Sequence, residues 1–399
     1  MIIKPKFKGF ICTTAHPEGC ARSVQEQIDY VQQQNPVKGP KNVLVIGAST
    51  GYGLASRIVS TFCSDASTIG VFFERPANGN KTASAGWYNM VEFERAAKEE
   101  NHYAKSINGD AFSTTVKEQV VALIKKDLGQ VDLVIYSLAS PRRVHPITGE
   151  TLHSSIKPVD QAFSSKNVDV HEEKVSEITV EPATDDEVRQ AVGVMGGEDW
   201  EMWIDALRDG GVLADNATTI SYSYIGPKIT YAIYREGTIG KAKESLEASA
   251  QKIHTLLEPL GGKAFVSVNK ALVTQASTAI PGMSLYMSLL FKVMKEKGLH
   301  ENCVEQIYRL FAERLYSGDI TVDEKGRIRL DDWEMREDVQ AEVVKLWEQV
   351  STENVALISD VKGYREDFFR LFGFGFTGVD YEKDVAIDLE IPSITDSKM

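Results

Sequence analysis

Residues 43–46, Val-Leu-Val-Ile, form a continuous apolar run rich in β-branched side chains. That pattern suits a strand buried on both faces of a parallel sheet. Gly47, Gly51 and Gly53 follow at once as G-x-x-x-G-x-G, and a helix-compatible stretch covers 54–62. The rhythm then repeats. Residues 68–73 read as a strand, 90–100 as a helix, 104–107 as a third strand and 131–136 as a fourth. Between the last two, Ser113 is placed to N-cap a helix over 114–128. Strands alternating with helices predict an α/β fold with a mostly parallel, doubly wound sheet.

The rhythm breaks over 141–200, which is polar and acidic, with residues 174–180 alternating like a strand with one wet face. This stretch reads as an insertion covering a crevice. Residues 200–208 suggest an amphipathic helix, 218–223 and 266–268 strands, and 283–296 an apolar helix with three methionines. Further helices are expected at 301–316, 333–350 and 361–371, and a hairpin around Glu324-Lys325-Gly326 within 320–330. The last dozen residues show no pattern and are expected to be loose. The expected organisation is one enlarged domain over 1–399. It carries an arm at 1–40, the 141–200 insertion and a C-terminal helical extension with a hairpin at 300–399.

Charge narrows the functional classes. The chain has 44 Lys+Arg against 57 Asp+Glu, for a net charge of -13. A nucleic-acid binder or a polybasic membrane anchor needs the opposite balance. No apolar run reaches the ~18 residues of a membrane span, and the opening MIIKPKFKGFICTT is too short and polar for a secretory signal. Four cysteines in 399 residues make no disulfide scaffold, so a cytoplasmic location is expected. Cys12, His16 and Cys20 are spaced C-x3-H-x3-C, but no fourth ligand stands nearby. No metal is expected there, and the cysteines read as small apolar fillers.

The glycine turn carries candidate chemistry. A dinucleotide pyrophosphate must approach the backbone closely and then lies against the amides of a helix N-terminus. Gly47, Ala48, Ser49, Thr50, Gly51 and Tyr52 occupy that turn. Phe73 and Glu74 end the second strand, about 20 residues beyond the glycines, where a carboxylate binds ribose hydroxyls and repels a 2'-phosphate. NADH is therefore expected in preference to NADPH. Asp110 and Ala111 end the third strand, and Leu138 and Ala139 follow the fourth. Such strand ends line one crevice in open α/β sheets, so the fold is expected to be Rossmann-type.

Residues 230–246, TYAIYREGTIGKAKESL, offer a tyrosine and two lysines. Hydride transfer to an α,β-unsaturated thioester leaves charge on the thioester oxygen. A phenol beside an ammonium can meet that charge or supply a proton. Tyr234 and Lys241 are seven apart, nearly on one helical face; Tyr234 and Lys243 are nine apart, on opposite faces. Lys243 can pair with Tyr234 only if the tyrosine lies upstream of the helix, as an N-cap at Thr238 would arrange. Spacing leaves both lysines open.

The chain resembles the trans-2-enoyl-CoA reductase family, including its FabV-type enoyl-acyl-carrier-protein reductases. The resemblance runs through IIKPKFKGFICTTAHPEGC, VLVIGASTGYGLASR, TIGVFFERP, NGDAFS, YSLASP, VMGGEDWEMW, SYSYIGP, IYREGTIGKAK, LVTQAS and HENCVEQIYRLFAERLY. It implies a short-chain dehydrogenase/reductase-like fold with a Tyr-x8-Lys pair. Tyr234 would then be the proton donor, Lys243 its partner and a cofactor contact, and Tyr224 a substrate contact. NADH contacts would fall on residues 47–52, Phe73, Glu74, Asp110, Ala111, Leu138, Ala139, Leu272, Val273 and Thr274. It further implies a monomer that reduces trans-2-enoyl thioesters, carried on CoA or acyl-carrier protein, in fatty acid metabolism. YREGTIGKAKE is similar to the CoA-reducing members. Gly282 and Ser284 in IPGMSLY stand where many relatives carry an apolar residue or proline, beside the implied acyl channel. Two other readings fit a dinucleotide fold: a ketone or alcohol dehydrogenase acting on a β-ketoacyl thioester, and a non-catalytic NADH sensor.

Overall fold

The computed structural model describes residues 1–8 and 11–396. At its centre lies a seven-stranded sheet. In chain order the strands are β1 Asn42–Ile46, β2 Ser67–Phe72, β3 Ala104–Asn108, β4 Val131–Tyr136, β5 Leu213–Ser223, β6 Lys263–Val268 and β7 Ile328–Arg329. Every neighbouring pair is parallel. Across the sheet the order is β7-β6-β5-β4-β1-β2-β3. The fold is the expected doubly wound α/β type.

Alternation along β1 explains why its run is apolar throughout. Successive side chains of a strand point to opposite faces. Val43 and Val45 join one core with the helices Pro17–Gln32, Gly51–Phe62, Ala85–Glu99 and Met283–Glu296. Leu44 and Ile46 join a second core with Thr114–Asp127, Glu198–Asp209 and Thr238–Leu257. Covering both faces leaves no position from Val43 to Ile46 where a polar side chain would reach water; Asn42, at the start of the strand, is only half-buried.

The strand order also places the crevice. From β1 the chain moves outward to β2 and β3, then returns to β4 on the other side of β1. Helices on the two sides of that reversal diverge, which opens a cleft at the carboxyl ends of β1 and β4.

Residues 141–200 form two small antiparallel pairs and a helix. Arg142–Val144 pairs with Thr151–His153, and Phe163–Asp169 pairs with Lys174–Val180. Lys166 Nζ donates to the carbonyls of Trp347, Glu348 and Val350, at the end of the helix Glu337–Gln349. A cation there satisfies carbonyls that have no partner within the helix.

Three local expectations are corrected. Residues 320–330 make a tight turn, with Asp323 and Arg327 bonded through their backbones, but no hairpin. Ile328–Arg329 instead joins the free edge of β6, where Ile328 becomes fully buried. A buried ladder outcompetes an exposed two-strand ribbon. Thr238 is the first residue of its helix, and Gly237 is the N-cap. Thr238 Oγ1 donates to the carbonyl of Ser155. Finally, the last dozen residues are ordered where described. Pro392–Asp396 is a short helix, and Ile391 is fully buried.

That last correction carries a consequence. The edge strand β3 presents the amide of Ser106 to Ser393 Oγ, and Ser393 in turn bonds the buried Glu94. Trp87 Nε1 donates to Leu389 O and the Tyr88 hydroxyl to Ile387 O. Removing residues 386–399 should therefore lower unfolding stability by at least about 3 kcal/mol, from one buried isoleucine and several hydrogen bonds. It should also expose a strand edge to aggregation. Thermal denaturation with light scattering checks this; an unchanged midpoint would show that the tail covers nothing of consequence.

Candidate active site

Ser137 follows β4, and its amide donates to Ile46 O at 2.8 Å. This bond draws the two strand ends together beneath the glycine turn. Gly47 has φ +89°, and a Cβ on it would lie 2.3 Å from Ser137 O. A Cβ on Gly53 would lie 1.8 Å from Gly47 O. Close packing of the turn upon itself thus demands both glycines. Gly51 differs: its φ is +54°, and the nearest atom to a Cβ there is a Thr274 methyl 3.6 Å away. A side chain at Gly51 would project into the mouth of the crevice.

The amides of Gly47 and Ala48 both donate to Val71 O, at 2.8 and 3.0 Å. Those left for an anion belong to the first turn of Gly51–Phe62, where no intrahelical acceptor exists. The glycine motif therefore mixes two jobs that spacing alone cannot separate.

Ser49 Oγ donates to Glu74 Oε1 at 2.7 Å, tying the turn to the end of β2. Gly86 packs so closely that a Cβ on it would come 2.1 Å from the same oxygen. Phe73 is 76% exposed, so its ring is a surface feature beside the crevice. Asp110 accepts from the amide of Phe112 at 3.0 Å. Ala111 is buried, and its carbonyl is taken by Lys117 Nζ and Trp203 Nε1.

A cavity of about 200 Å³ occupies the crevice. Its lining includes Tyr52, Leu138, Ala139, Tyr224, Tyr234, Lys243, Leu272 and Thr274. A larger cavity of about 660 Å³ shares Leu272 and is lined by Thr50, Gly51 and Val273. Met195, within residues 141–200, lines the crevice, as do Ile280, Met283 and Met287 from the far wall. Lys243 and Lys270 line it without any Asp or Glu among the described residues. Two lysines thus face the crevice on a protein of net charge -13, with the Glu334 carboxylate behind Tyr224 as a counter-charge.

The two lysines part here. Lys241 pairs with Glu244 at the surface, at 3.1 Å. Lys243 turns inward and donates to Tyr222 O at 3.0 Å. Burial pushes its ammonium down to about 8, with Glu247 pulling the other way. The helix begins at Thr238, downstream of Tyr234, and so frees the tyrosine from the helical phase of Lys243.

Five tyrosines line the crevice, and four have their hydroxyls engaged. The Tyr52 hydroxyl lies 2.9 Å from both Lys270 O and Gln306 Oε1 and donates to one of them, Tyr136 donates to Asp199, and Tyr224 to Glu334. Tyr222 shares a hydrogen bond with Ser56. Tyr234 alone has no hydroxyl partner among the described residues, and its ring packs edge to face on Tyr224 with centroids 4.9 Å apart. Burial, and then Glu334, push its pKa above the ordinary tyrosine range.

Three family models match along nearly all of the chain. They are described as the NAD(P)H binding domain of trans-2-enoyl-CoA reductase (residues 2–79), the trans-2-enoyl-CoA reductase catalytic region (81–316) and an enoyl reductase FAD binding domain (322–385). The chain belongs to the trans-2-enoyl-CoA reductase family. A trans-2-enoyl-CoA reductase [NADH] of Ruminiclostridium cellulolyticum is 62% identical over 394 residues, covering 99% of this chain and 100% of that one. An enoyl-[acyl-carrier-protein] reductase [NADH] of Cytophaga hutchinsonii is 61% identical over 395 residues, with the same coverage. The crystal structure of a Clostridium acetobutulicum trans-2-enoyl-CoA reductase in complex with NADH superposes with a TM-score of 0.95 at 47% identity, covering 97% of this chain and 98% of that one. A Treponema denticola trans-2-enoyl-CoA reductase in complex with NAD gives 0.92 at 50%, covering 96% and 98%.

The site fits NADH: a strand–glycine turn–helix unit, a cradle that a Cβ on Gly51 would fill, and a strand-end carboxylate at Glu74. The segment 322–385 does not fit a flavin dinucleotide in that way. It holds one two-residue strand and three helices, with no glycine turn joining a strand to a helix. Its Val339, Val343, Val355, Val361, Tyr364 and Phe368 are spent in the common core.

Sequence reasoning missed Lys270, Asn269, Tyr286 and Glu334. Lys270 follows a strand and could have been suspected from position. Glu334 sits in the polar run DDWEMRED, which carries no signal of burial.

Proposed function

We propose that Tyr234 is the proton donor and Lys243 its supporting cation as the chain reduces trans-2-enoyl thioesters with NADH. The activity is that of the family: NADH-dependent reduction of an enoyl-CoA or enoyl-acyl-carrier-protein to the saturated thioester. The observation that carries the residue assignment is the Tyr234 hydroxyl, free among crevice tyrosines whose other hydroxyls are all engaged.

When bound, NADH supplies a hydride to the β carbon of the substrate. The chain's own residues handle the charge that this leaves. Tyr234 donates a hydrogen bond to the thioester oxygen as it becomes an enolate, and its proton passes to the substrate. The Lys243 ammonium spends one N–H on Tyr222 O, leaving two for the crevice. There it steadies the developing tyrosinate and contacts the cofactor ribose. Tyr224 presents its ring to the substrate. The first-turn amides of Gly51–Phe62 hold the pyrophosphate. Ile280, Met283 and Met287 enclose the acyl chain, and the methionines adapt to its shape.

Glu74 takes the ribose hydroxyls and opposes a 2'-phosphate. Glu74→Ala should shift the NADH:NADPH preference toward NADPH by about ten- to hundredfold. Matched kcat/KM values for the two cofactors check this, and an unchanged ratio assigns the choice to another residue.

The monomer that the family resemblance implies is part of this reading. Four unpaired cysteines among the described residues suit the cytoplasm. The 141–200 insertion serves as a cover, because Met195 reaches the crevice and Ser155 and Lys157 bond the start of the Lys243 helix. NADH absorbance followed with crotonyl-CoA, crotonyl-acyl-carrier protein and a β-ketoacyl thioester tests the whole reading. Turnover of the β-ketoacyl substrate alone would favour a ketone reductase, and NADH binding without turnover a sensor.

A further inference from the structure

The segment 322–385 sends one acidic side chain to the crevice wall. Glu334 is fully buried. Its Oε1 accepts from the hydroxyls of Tyr224 at 2.8 Å and Tyr286 at 2.7 Å, and its Oε2 from the Ala271 amide at 2.7 Å. Three donors converging on two oxygens suit an ionised carboxylate, which offers acceptors only. Burial pushes this carboxyl above the ordinary glutamate range, while the bonds from Tyr286 and Ala271, the charge of Lys270 and the bond from Tyr224 draw it back.

Each donor belongs to a different part of the site. Tyr224 follows β5, and its ring meets that of Tyr234 at 87°. Tyr286 lies on Met283–Glu296, the helix that walls the crevice. Ala271 leads into Leu272, Val273 and Thr274. Gly226 completes the packing, since a Cβ there would come 2.8 Å from the Tyr224 hydroxyl.

We propose that Glu334 is a positioning residue for Tyr234: it fixes the Tyr224 hydroxyl, and so holds the ring on which Tyr234 packs. The proposal rests on Tyr234 being the proton donor. A tyrosine has one O–H to give. With that of Tyr224 committed to Glu334, Tyr224 acts on the substrate through its ring, and the acid role stays with Tyr234. The segment 322–385 thereby gains a part in the reaction that needs no flavin.

Glu334→Gln tests this, because an amide adds donors where three already converge. The assay is a double-mutant cycle on the full chain with crotonyl-CoA, read as kcat, KM and the NADH Kd. E334Q should lower kcat about 10- to 100-fold, the scale of a small misplacement of a reacting group. Its NADH Kd should stay within about threefold of the parent's, and in a Tyr224→Phe background the same change should cost less than about threefold, since the two residues act as one unit. Tyr286→Phe, on the far wall, should lower kcat less than E334Q.

Equal losses in the two backgrounds would overturn the proposal. So would parallel loss of NADH binding, which assigns Glu334 to the fold alone, or unchanged kcat in E334Q. Tyr234→Phe measured alongside separates the premise. If that variant is inactive while E334Q is unaffected, only the positioning role falls. If it keeps near-parental turnover, the premise falls and the proposal with it.

Discussion

Tyr234→Phe should lower kcat with crotonyl-CoA about 10²- to 10⁴-fold, the usual worth of a placed general acid, while NADH binding changes little. The substitution removes one oxygen and keeps the ring that packs on Tyr224. No protein hydrogen bond is broken among the described residues, so stability should hold. The size of the effect follows from where the hydroxyl sits. Burial and the nearby Glu334 carboxyl keep the phenol protonated well past neutral pH, as an acid must be. NADH absorbance at saturating substrate measures it. A loss of only a few-fold would remove Tyr234 from the reaction.

Lys243→Ala should lower kcat/KM about 10²- to 10³-fold, comparable to deleting one preorganised donor at a developing charge. Lys241→Ala, two residues away, should leave it unchanged, because Lys241 is a surface partner of Glu244. The pH profile separates the two further. Burial lowers Lys243 to about 8, so its ammonium is complete below that pH and is lost as pH rises through it. The free enzyme's kcat/KM should therefore decline on the alkaline side of about 8, and this limb should vanish in Lys243→Ala. A decline that persists in the variant would assign the limb to another group.

Much of this was legible in the sequence because the signals were local. An apolar run, a glycine turn and a helix are neighbours in the chain, so β1 and its crevice could be read without knowing the fold. The Tyr234–Lys243 pair was half legible. Eight residues lie between the two, and only the tertiary structure places both on one crevice while Lys241 pairs with Glu244 at the surface. The hairpin at 320–330 misled because its turn is real, while its second arm finds a better partner in β6. The tail looked patternless because five helical residues are too few to show a period, yet Ile391 and Ser393 dock on the edge of the sheet.

The sequence by itself determined the class of fold, the dinucleotide turn, the acidic strand end at Glu74 and the reductase family. Each rests on residues close in the chain, or on many short motifs in order. Only the tertiary structure decided which crevice tyrosine keeps a free hydroxyl, which lysine turns inward, and that Glu334 stands behind Tyr224. Those outcomes depend on contacts between residues up to 254 positions apart, as in the Tyr52–Gln306 bond. Hydrogen-bond competition among buried groups settles them, and it leaves no period or spacing along the chain.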